Sequence, residues 1–307
     1  MKYLVIGAGG TGGSIGGFLA LKGKDVSFIA RGNHLKALRE KGLVLHSGRI
    51  GKVKIKKIKA YTADEFTEKV NVIFLCIKAY SVEEIIPLIK KASNDTTIVI
   101  PVLNAFAIGD ALEQLMPNIT FLDGCVYVNS YISNPGEIVQ LNPLFTLVFG
   151  ARESQPVHYK LLEAIKNDIA DSGIDVILSN NIKRDTFRKF SFTSAYASAG
   201  AFHNVPAKDF QKEGVFRNTF ISLVKEIKAL ANAMNIYFES DLLIDHLKII
   251  DGFTPDTTAS LQKDLAANKN NEIDQIIFNI VRLGKKYKVE MPTYLQIAQH
   301  FGYKEGR

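Results

Sequence analysis

The sequence predicts a protein in which an α/β domain with a parallel sheet is followed by an all-α domain. Over residues 1–180, short aliphatic runs alternate with segments of helical period, which is typical of a parallel sheet covered by helices on both faces. From 181 to 307 the apolar residues recur at long helical periods. The polar break Ser179-Asn180-Asn181 is the predicted boundary between the domains.

The elements of the first domain are predicted from short apolar runs and from turn residues. Its strands are expected at 3–6, 26–30, 70–77, 97–102, 120–128, 145–149 and 174–178. Its helices are expected at 12–22, 34–41, 82–90, 108–116 and 159–171. Asn134-Pro135-Gly136 has the composition of a hairpin turn. In the second domain, helices are expected at 182–201, 216–234, 241–250, 259–267 and 272–287.

Composition predicts a cytoplasmic protein that folds throughout. With 47% hydrophobic and 22% charged residues the chain is ordinary for a globular protein. No apolar run approaches the roughly 18 to 20 residues that span a bilayer, and the first residues break into glycines before a signal-peptide core can form. Cys76 and Cys125 lack the spacing of a metal site or redox pair, so both are expected as buried small hydrophobes.

The net charge of +7 is most concentrated between Arg49 and Lys59, where lysine and aliphatic residues alternate. Alternation is the period of a half-buried strand with one solvated face. A charged edge strand is favoured over a nucleic-acid surface, because stacking aromatics and a recognition-helix pattern are both missing.

Directly after the first predicted strand comes Gly7-Ala8-Gly9-Gly10-Thr11-Gly12, a G-x-G-x-x-G run that opens a helix. Glycines there permit a tight turn and let the backbone approach a pyrophosphate, whose charge is met by amides at the helix start. The alternative is a glycine-rich turn without function. Its position between a strand and a helix in a βαβ unit favours dinucleotide binding by all six residues.

The second predicted strand ends at Arg31, where NAD-binding proteins usually carry an acidic residue for the ribose hydroxyls. A guanidinium can instead bind a 2′-phosphate through charge-assisted hydrogen bonds. Arg31 therefore favours NADPH over NADH, unless it is an ordinary surface residue at a strand end.

Two further polar residues follow predicted strands, Lys78 after 70–77 and Asn104 after 97–102. Ligands of open α/β sheets bind at the carboxyl ends of the strands, so both side chains can face the cofactor. The alternative is that each is a solvated loop residue.

These features together resemble the ketopantoate reductase family (2-dehydropantoate 2-reductases), whose members reduce 2-dehydropantoate to pantoate with NADPH, toward pantothenate and coenzyme A. The resemblance spans nearly the whole chain. Besides the glycine loop, it rests on 29–32 (Ile-Ala-Arg-Gly), 76–80 (Cys-Ile-Lys-Ala-Tyr), 103–104 (Leu-Asn), 187–190 (Phe-Arg-Lys-Phe), 260–265 (Ser-Leu-Gln-Lys-Asp-Leu) and 271–274 (Asn-Glu-Ile-Asp).

The resemblance implies that Lys189 is the catalytic acid, that Asn104 and Ser260 contact substrate, and that Glu272 lies by the nicotinamide ribose. Chemistry agrees, because a lysine ammonium can stabilise and protonate the oxygen of a ketone that receives hydride. Other interpretations stay open: Lys189 as a snorkelling lysine among phenylalanines, Glu272 as a favourable charge at a helix start, and Ser260 as a helix cap.

One departure concerns the substrate. Family members often have asparagines four and eight residues after the catalytic lysine, on the same helix face, where this chain has Thr193 and Ala197. Thr193 keeps a hydroxyl for substrate binding, but Ala197 is apolar. Ala105 also replaces a common glycine after Asn104, which stiffens that loop.

Several functions remain in competition. Reduction of 2-dehydropantoate is expected, and its nearest rival is a paralogous reductase of another small 2-oxo acid. A non-catalytic NADPH-binding sensor is a third hypothesis and a nucleic-acid-binding module the least favoured. No metal or membrane partner is expected. The sequence does not disclose the oligomeric state, and a homodimer is among the states left open.

Overall fold

The computed structural model describes residues 1–153 and 155–304, which divide into two compact units. The first unit comprises Met1–Leu103 and Ala107–Lys183. The second comprises residues from 184 on together with the short segment 104–106, which we call the inserted segment. Chain order alone therefore does not define the units, because three residues inside the first half of the chain group with the second unit.

Strands and helices alternate through much of the first unit as the sequence predicts, although residues 43–75 form four strands with no helix between them, of which Leu43–Ser47 and Lys59–Tyr61 were not predicted. Its strands are β1 (Lys2–Ile6), β2 (Asp25–Ile29), β3 (Leu43–Ser47), β4 (Gly51–Ile55), β5 (Lys59–Tyr61), β6 (Val72–Leu75), β7 (Ile98–Pro101), β8 (Thr120–Phe121), β9 (Asp123–Asn134), β10 (Glu137–Gly150) and β11 (Asp175–Leu178). Its helices are α1 (Gly10–Leu21), α2 (Gly32–Lys41), α3 (Val82–Ala92), α4 (Ile108–Leu115) and α5 (Tyr159–Asp171), with a 3₁₀ turn at Ala79–Ser81.

These strands form two sheets rather than one. The order β5-β2-β1-β6-β7-β8 is a parallel sheet, and β11-β10-β3-β4, with β9 against β10, is a mixed sheet. The predicted strand over 120–128 is in fact two, since β8 belongs to the parallel sheet and β9 to the mixed one. An apolar run does not show where a chain changes sheets, which is why the sequence missed the break at Leu122.

Helices cover both faces of the parallel sheet, as predicted, but on one face they are joined by the mixed sheet. There α1 and α5 share one core with residues of the mixed sheet, among them Leu45 and Phe145. Helix α1 packs closely because it is rich in glycine: a Cβ on Gly13 would lie 2.9 Å from Ile138, and one on Gly17 would lie 3.0 Å from Leu45. The opposite face is covered by α3 and α4 as expected.

The lysine-rich segment forms an edge strand, as predicted, although a shorter one. Strand β4 spans only Gly51–Ile55 and pairs antiparallel with β3 at the end of the mixed sheet. Lys52 and Lys54 are exposed while Ile55 is buried. The predicted hairpin is also confirmed, because Asn134 pairs with Glu137 and Gly136 has a φ of 80°.

The second unit is built of helices in its described part. These are α6 (Ile182–His203, of which residues from 184 belong to this unit), α7 (Ala207–Phe210), α8 (Val215–Ala233), α9 (Leu242–Asp251), α10 (Ser260–Ala266), a π-helical turn (Asp274–Phe278), α11 (Asn279–Tyr287) and α12 (Pro292–His300). The π turn interrupts the helix predicted over 272–287. Helices α7 and α12 were not predicted. Large buried side chains such as Phe187, Phe220 and Tyr294 form one core.

Two expectations about composition can be compared with the structure. In the described residues no helix is both long and apolar enough to cross a membrane. Cys125 is buried as expected, but Cys76 is only half-buried, so that expectation is wrong for Cys76. Cys76 directly follows β6 at the carboxyl edge of the parallel sheet, beside the glycine loop. This edge lies outside the packed layers, which explains the partial exposure.

Candidate active site

The glycine loop begins where β1 ends, and backbone contacts fix its shape. Gly7 has a φ of 96°, in the left-handed region, and a Cβ there would lie 2.6 Å from the carbonyl oxygen of Cys76. The amides of Gly7 and Ala8 both donate to the carbonyl oxygen of Ile29, each at 3.2 Å. The loop is thus tied to the ends of β2 and β6, and glycine is required at position 7.

The other glycines of the loop differ in what surrounds them. A Cβ on Gly12 would clash with the carbonyl oxygen of Gly7, and one on Gly10 with that of Ser130. A Cβ on Gly9 would meet nothing within 4 Å. Packing therefore explains glycine at 10 and 12 but not at 9.

Gly9 directly precedes α1, whose first-turn amides, including those of Gly10 and Thr11, have no acceptor within the helix. An open backbone beside these amides suits an anion that approaches the chain closely. The loop therefore fits the pyrophosphate of a dinucleotide, and it does so with atoms of the backbone rather than of side chains.

A cleft of about 510 Å³ adjoins this loop within the first unit. It is lined by Gly7, Ala8 and Gly9 and by residues that follow the neighbouring strands of the parallel sheet, namely Ala30, Arg31, Thr62, Ala63, Asp64, Ile77 and Ser81, with His34, Glu84, Ile85 and Ile132. The carboxyl ends of parallel strands are where open α/β sheets bind ligands.

Arg31 lines this cleft, as the NADPH hypothesis requires, but it is not without a partner. Its side chain is 81% exposed, and its Nη1 lies 3.6 Å from Oε2 of Glu84. Lys78 is half-buried just before the 3₁₀ turn at Ala79–Ser81, and its neighbours Ile77 and Ser81 line the cleft.

His34 and Glu84 are cleft residues that the sequence did not single out. The Nδ1 atom of His34 accepts a hydrogen bond of 3.1 Å from the amide of Gly136 in the hairpin turn. Burial lowers the pKa of His34, which favours the neutral ring that this acceptor role needs. The only signals in the sequence were closeness to Arg31 for His34 and a place in the first turn of α3 for Glu84.

In the helical unit, α6 carries Lys189 between two buried rings, Phe187 and Phe190. Lys189 is half-buried, and its Nζ donates a hydrogen bond to Oδ1 of Asn104 in the inserted segment. One turn later, the Thr193 hydroxyl donates to the carbonyl oxygen of Lys189 at 3.0 Å. The structure therefore brings together three predicted site residues, Asn104, Lys189 and Thr193.

Phe106 explains how the inserted segment is held in place. Its ring is 8% exposed and packs against Phe187, with centroids 4.9 Å apart, and against Phe190, at 6.0 Å. These two rings flank Lys189 in the sequence, so one aromatic cluster positions both the lysine and the asparagine. No motif in the sequence indicated this role for Phe106.

Ser260 and Glu272 have contrasting surroundings. Ser260 is exposed as the first residue of α10, and the cap before it is Ala259, whose amide donates to Oε1 of Gln262 at 2.9 Å. Glu272 is only 2% exposed, so a solvated charge at a helix start does not describe it. Placement of either residue beside substrate or cofactor stays a prediction.

Fold and site define a class of protein: a Rossmann-type domain with a dinucleotide cradle, followed by helices that present a half-buried lysine bonded to an amide. The model of the family "Ketopantoate reductase PanE/ApbA" matches residues 3–154, and that of its C-terminal domain matches 181–305. The chain belongs to this family. It is an oxidoreductase.

Individual relatives are distant but cover nearly the whole chain. It is 26% identical over 293 residues to the uncharacterized oxidoreductase YkpB of Bacillus subtilis (strain 168), covering 95% of each chain. Among solved structures, the 2-dehydropantoate 2-reductase of Geobacter metallireducens GS-15 matches with a TM-score of 0.88 at 22% identity, over 97% of this chain and 98% of that one. The ternary structure of D-mandelate dehydrogenase with NADH and anilino(oxo)acetate matches with a TM-score of 0.85 at 21% identity, over 97% and 96%.

Proposed function

We propose that this chain is a cytoplasmic enzyme that reduces 2-dehydropantoate to pantoate with NADPH, a step toward pantothenate and coenzyme A. In this proposal residues 1–180 bind the cofactor, and residues 181–307 supply the groups that bind the substrate and catalyse its reduction. The observation that carries the proposal is the hydrogen bond from the half-buried Lys189 ammonium to Oδ1 of Asn104. This hydrogen bond fixes the position of the Lys189 ammonium, a proton donor, whereas a snorkelling surface lysine has no such fixed partner.

Lys189 is the general acid in this mechanism. NADPH, when bound, supplies hydride to the ketone carbon, which leaves negative charge developing on the ketone oxygen. The Lys189 ammonium stabilises that charge and donates a proton to the oxygen. Asn104 orients the ammonium through its amide oxygen, and Ser260 binds the substrate carboxylate with its hydroxyl and the amides at the start of α10.

The cofactor roles divide between backbone and side chains. The amides at the start of α1 and the loop from Gly7 to Gly12 hold the pyrophosphate, and Arg31 binds the 2′-phosphate of NADPH. Lys78 and Asn104 face the cofactor from their strand ends, and Glu272 binds the nicotinamide ribose.

A panel of 2-oxo acids tests the proposed substrate. Consumption of NADPH is followed with 2-dehydropantoate, 2-oxoisovalerate, pyruvate and phenylglyoxylate, each at several concentrations. We expect the highest kcat/KM with 2-dehydropantoate. A higher kcat/KM with another member of the panel would contradict that substrate while leaving reduction of a 2-oxo acid intact.

The second candidate is reduction of a different small 2-oxo acid, and two residues on α6 favour it. Ala197 is 2% exposed within the apolar core, and the single hydroxyl proton of Thr193 is already donated to Lys189. Each missing donor toward substrate costs about 1 to 3 kcal/mol of discrimination. A chain that binds NADPH tightly but turns over no member of the panel would instead support the sensor hypothesis.

Cofactor preference and oligomeric state need separate measurements. NADPH is expected to give the higher kcat/KM, and Arg31→Ala is expected to lose that preference, because a charge-assisted hydrogen bond contributes about 1.5 to 3 kcal/mol. Equal kcat/KM with NADPH and NADH in the wild type would contradict the role of Arg31. Sedimentation at several concentrations decides between a monomer and a homodimer.

A further inference from the structure

The charged groups of the cleft beside the glycine loop do not all favour a phosphate. Among the described lining residues, Arg31 is the guanidinium, while Asp64 and Glu84 are carboxylates. His34 also lines the cleft, and burial lowers the pKa of its ring. The Arg31 guanidinium is thus the main positive group on this wall, and it is outnumbered by carboxylates.

Nearby Arg39 is already bound elsewhere. Its Nε donates to the carbonyl oxygen of Ala60 at 2.9 Å, and its Nη2 donates to Glu65. Hydrogen bonds from the backbone of Thr62 and from Arg39 lower the pKa of Glu65 to about 2, so that carboxylate is firmly held as an anion. Recognition of a 2′-phosphate therefore depends on Arg31.

Glu84, the partner of Arg31, is held more loosely than Glu65, the partner of Arg39. Nη1 of Arg31 lies 3.6 Å from Oε2 of Glu84, and the side chains are 81% and 66% exposed. Exposed pairs at such a distance are weak and exchange easily with other ions. Glu84 also lies in the first turn of α3, where a carboxylate is favourable, so the helix keeps it beside the cleft.

We propose that Glu84 is a specificity-determining residue of this cleft. Its carboxylate competes with the 2′-phosphate of NADPH for Arg31 and so reduces the preference for NADPH over NADH. The proposal rests on the proposed function, in which Arg31 binds that phosphate. The sign follows from charge. A bound phosphate must displace Glu84 from Arg31 and then lie near a carboxylate. The ribose of NADH brings only hydroxyls, and these can donate hydrogen bonds to the Glu84 carboxylate.

The experiment measures dissociation constants of NADPH and NADH by fluorescence titration, without a 2-oxo acid, for wild type and Glu84→Gln. The amide keeps the shape of the side chain but removes its charge. We expect the ratio Kd(NADH)/Kd(NADPH) to rise about 2- to 5-fold, the range for an exposed ion pair. At 1 M salt the rise should shrink, because the Debye length falls to about 3 Å.

Glu83→Gln is the matched control. Glu83 is the neighbouring residue in the same first turn, is also exposed, and undergoes the same change of charge. We expect its ratio to equal that of the wild type. An equal rise in both variants would overturn the assignment, because it would reflect net charge rather than the pair with Arg31.

A second variant connects the effect to Arg31. In an Arg31→Ala background, Glu84→Gln is expected to leave the ratio unchanged, and an undiminished effect there would overturn the proposal. Wild type that binds neither dinucleotide would overturn the proposed function and this assignment together. Binding of both with an unchanged ratio in Glu84→Gln would overturn this assignment alone.

Discussion

The two units hold their proposed functional groups in different ways. In the first unit the groups are backbone amides, fixed by glycines that leave no room for a side chain at positions 7, 10 and 12. In the helical unit they are side chains, and the bond between Lys189 and Asn104 joins residues 85 positions apart. We infer that the first site is sensitive to added atoms, whereas the second is sensitive to the chemistry of single side chains.

The largest effect expected in the helical unit comes from Lys189→Ala. Loss of a general acid typically costs about 10² to 10⁴ in rate, so kcat should fall by that order while the affinity for NADPH changes little. Lys189→Arg should fail as well, because a guanidinium keeps the charge but hardly releases a proton. Steady-state kinetics of both variants measure kcat and KM, and cofactor titrations measure their affinity for NADPH.

Lys183→Ala is the control for that measurement. Lys183 is exposed in the first turn of the same helix, and its variant should retain the wild-type kcat. If Lys189→Ala chiefly raised KM and Lys189→Arg recovered activity, the lysine would be an anchor for the substrate carboxylate instead of an acid.

A buried histidine gives the helical unit a pH dependence of stability. His246 is 1% exposed, and its Nε2 lies 2.7 Å from the Ser191 hydroxyl. Burial, and secondarily the charge of Arg188, lowers its pKa to about 4. The unfolded chain takes up a proton at this side chain near pH 6.5, so the contribution of His246 to stability should fall by about 3 kcal/mol between pH 6.5 and 4 and stay level above that window.

Denaturant unfolding of wild type and His246→Asn from pH 7 to pH 4 measures this contribution. The variant should lose less stability than the wild type across the window. His158→Asn, at an exposed position before α5, is the control and should follow the wild type. Parallel curves for wild type and His246→Asn would show that this imidazole does not carry the acid sensitivity.

Gly9 and Gly12 offer a direct test of the backbone site. Gly12→Ala forces a methyl group onto the Gly7 carbonyl oxygen and should cost about 1 to 3 kcal/mol of folding free energy. Gly9→Ala meets open space and should fold normally, yet weaken NADPH binding by about 10- to 100-fold, because the methyl group occupies the space of the pyrophosphate. Thermal unfolding and cofactor titration of both variants should separate the two effects. Normal NADPH affinity in Gly9→Ala would show that the pyrophosphate does not bind at this position.

The smallest effect is expected at Ala107, directly after the inserted segment. Ala107 has a φ of 57°, a left-handed conformation that disfavours alanine, and Gly109 two residues later donates its amide to Asp123 at 3.0 Å. Ala107→Gly relieves the strain and should raise the free energy of unfolding by about 0.5 to 1 kcal/mol, net of the added chain entropy. Ala105→Gly, at a position without positive φ, should not stabilise. A destabilised Ala107→Gly would mean that the conformation carries no strain.

The sequence by itself determined the fold class, most strand and helix positions, and the glycine loop. These depend on local properties, namely the period of apolar residues and the steric freedom of glycine, which a short stretch of chain expresses wherever it lies. The helix at Tyr159–Asp171 was predicted to the residue and strands β1, β2, β6 and β7 within a few residues, whereas β3 and β5 were not predicted. Family resemblance, rather than periodicity, selected Lys189 and Glu272.

Only the tertiary structure decided the rest, because it depends on contacts between residues far apart in the chain. It divided the strands between two sheets, moved the inserted segment into the helical unit, and bonded Asn104 to Lys189. It also placed Glu84 against Arg31, two exposed residues that no local pattern connects. The packing of distant segments decides which side chains become partners. Local patterns in a single sequence extend over too few residues to reveal such contacts.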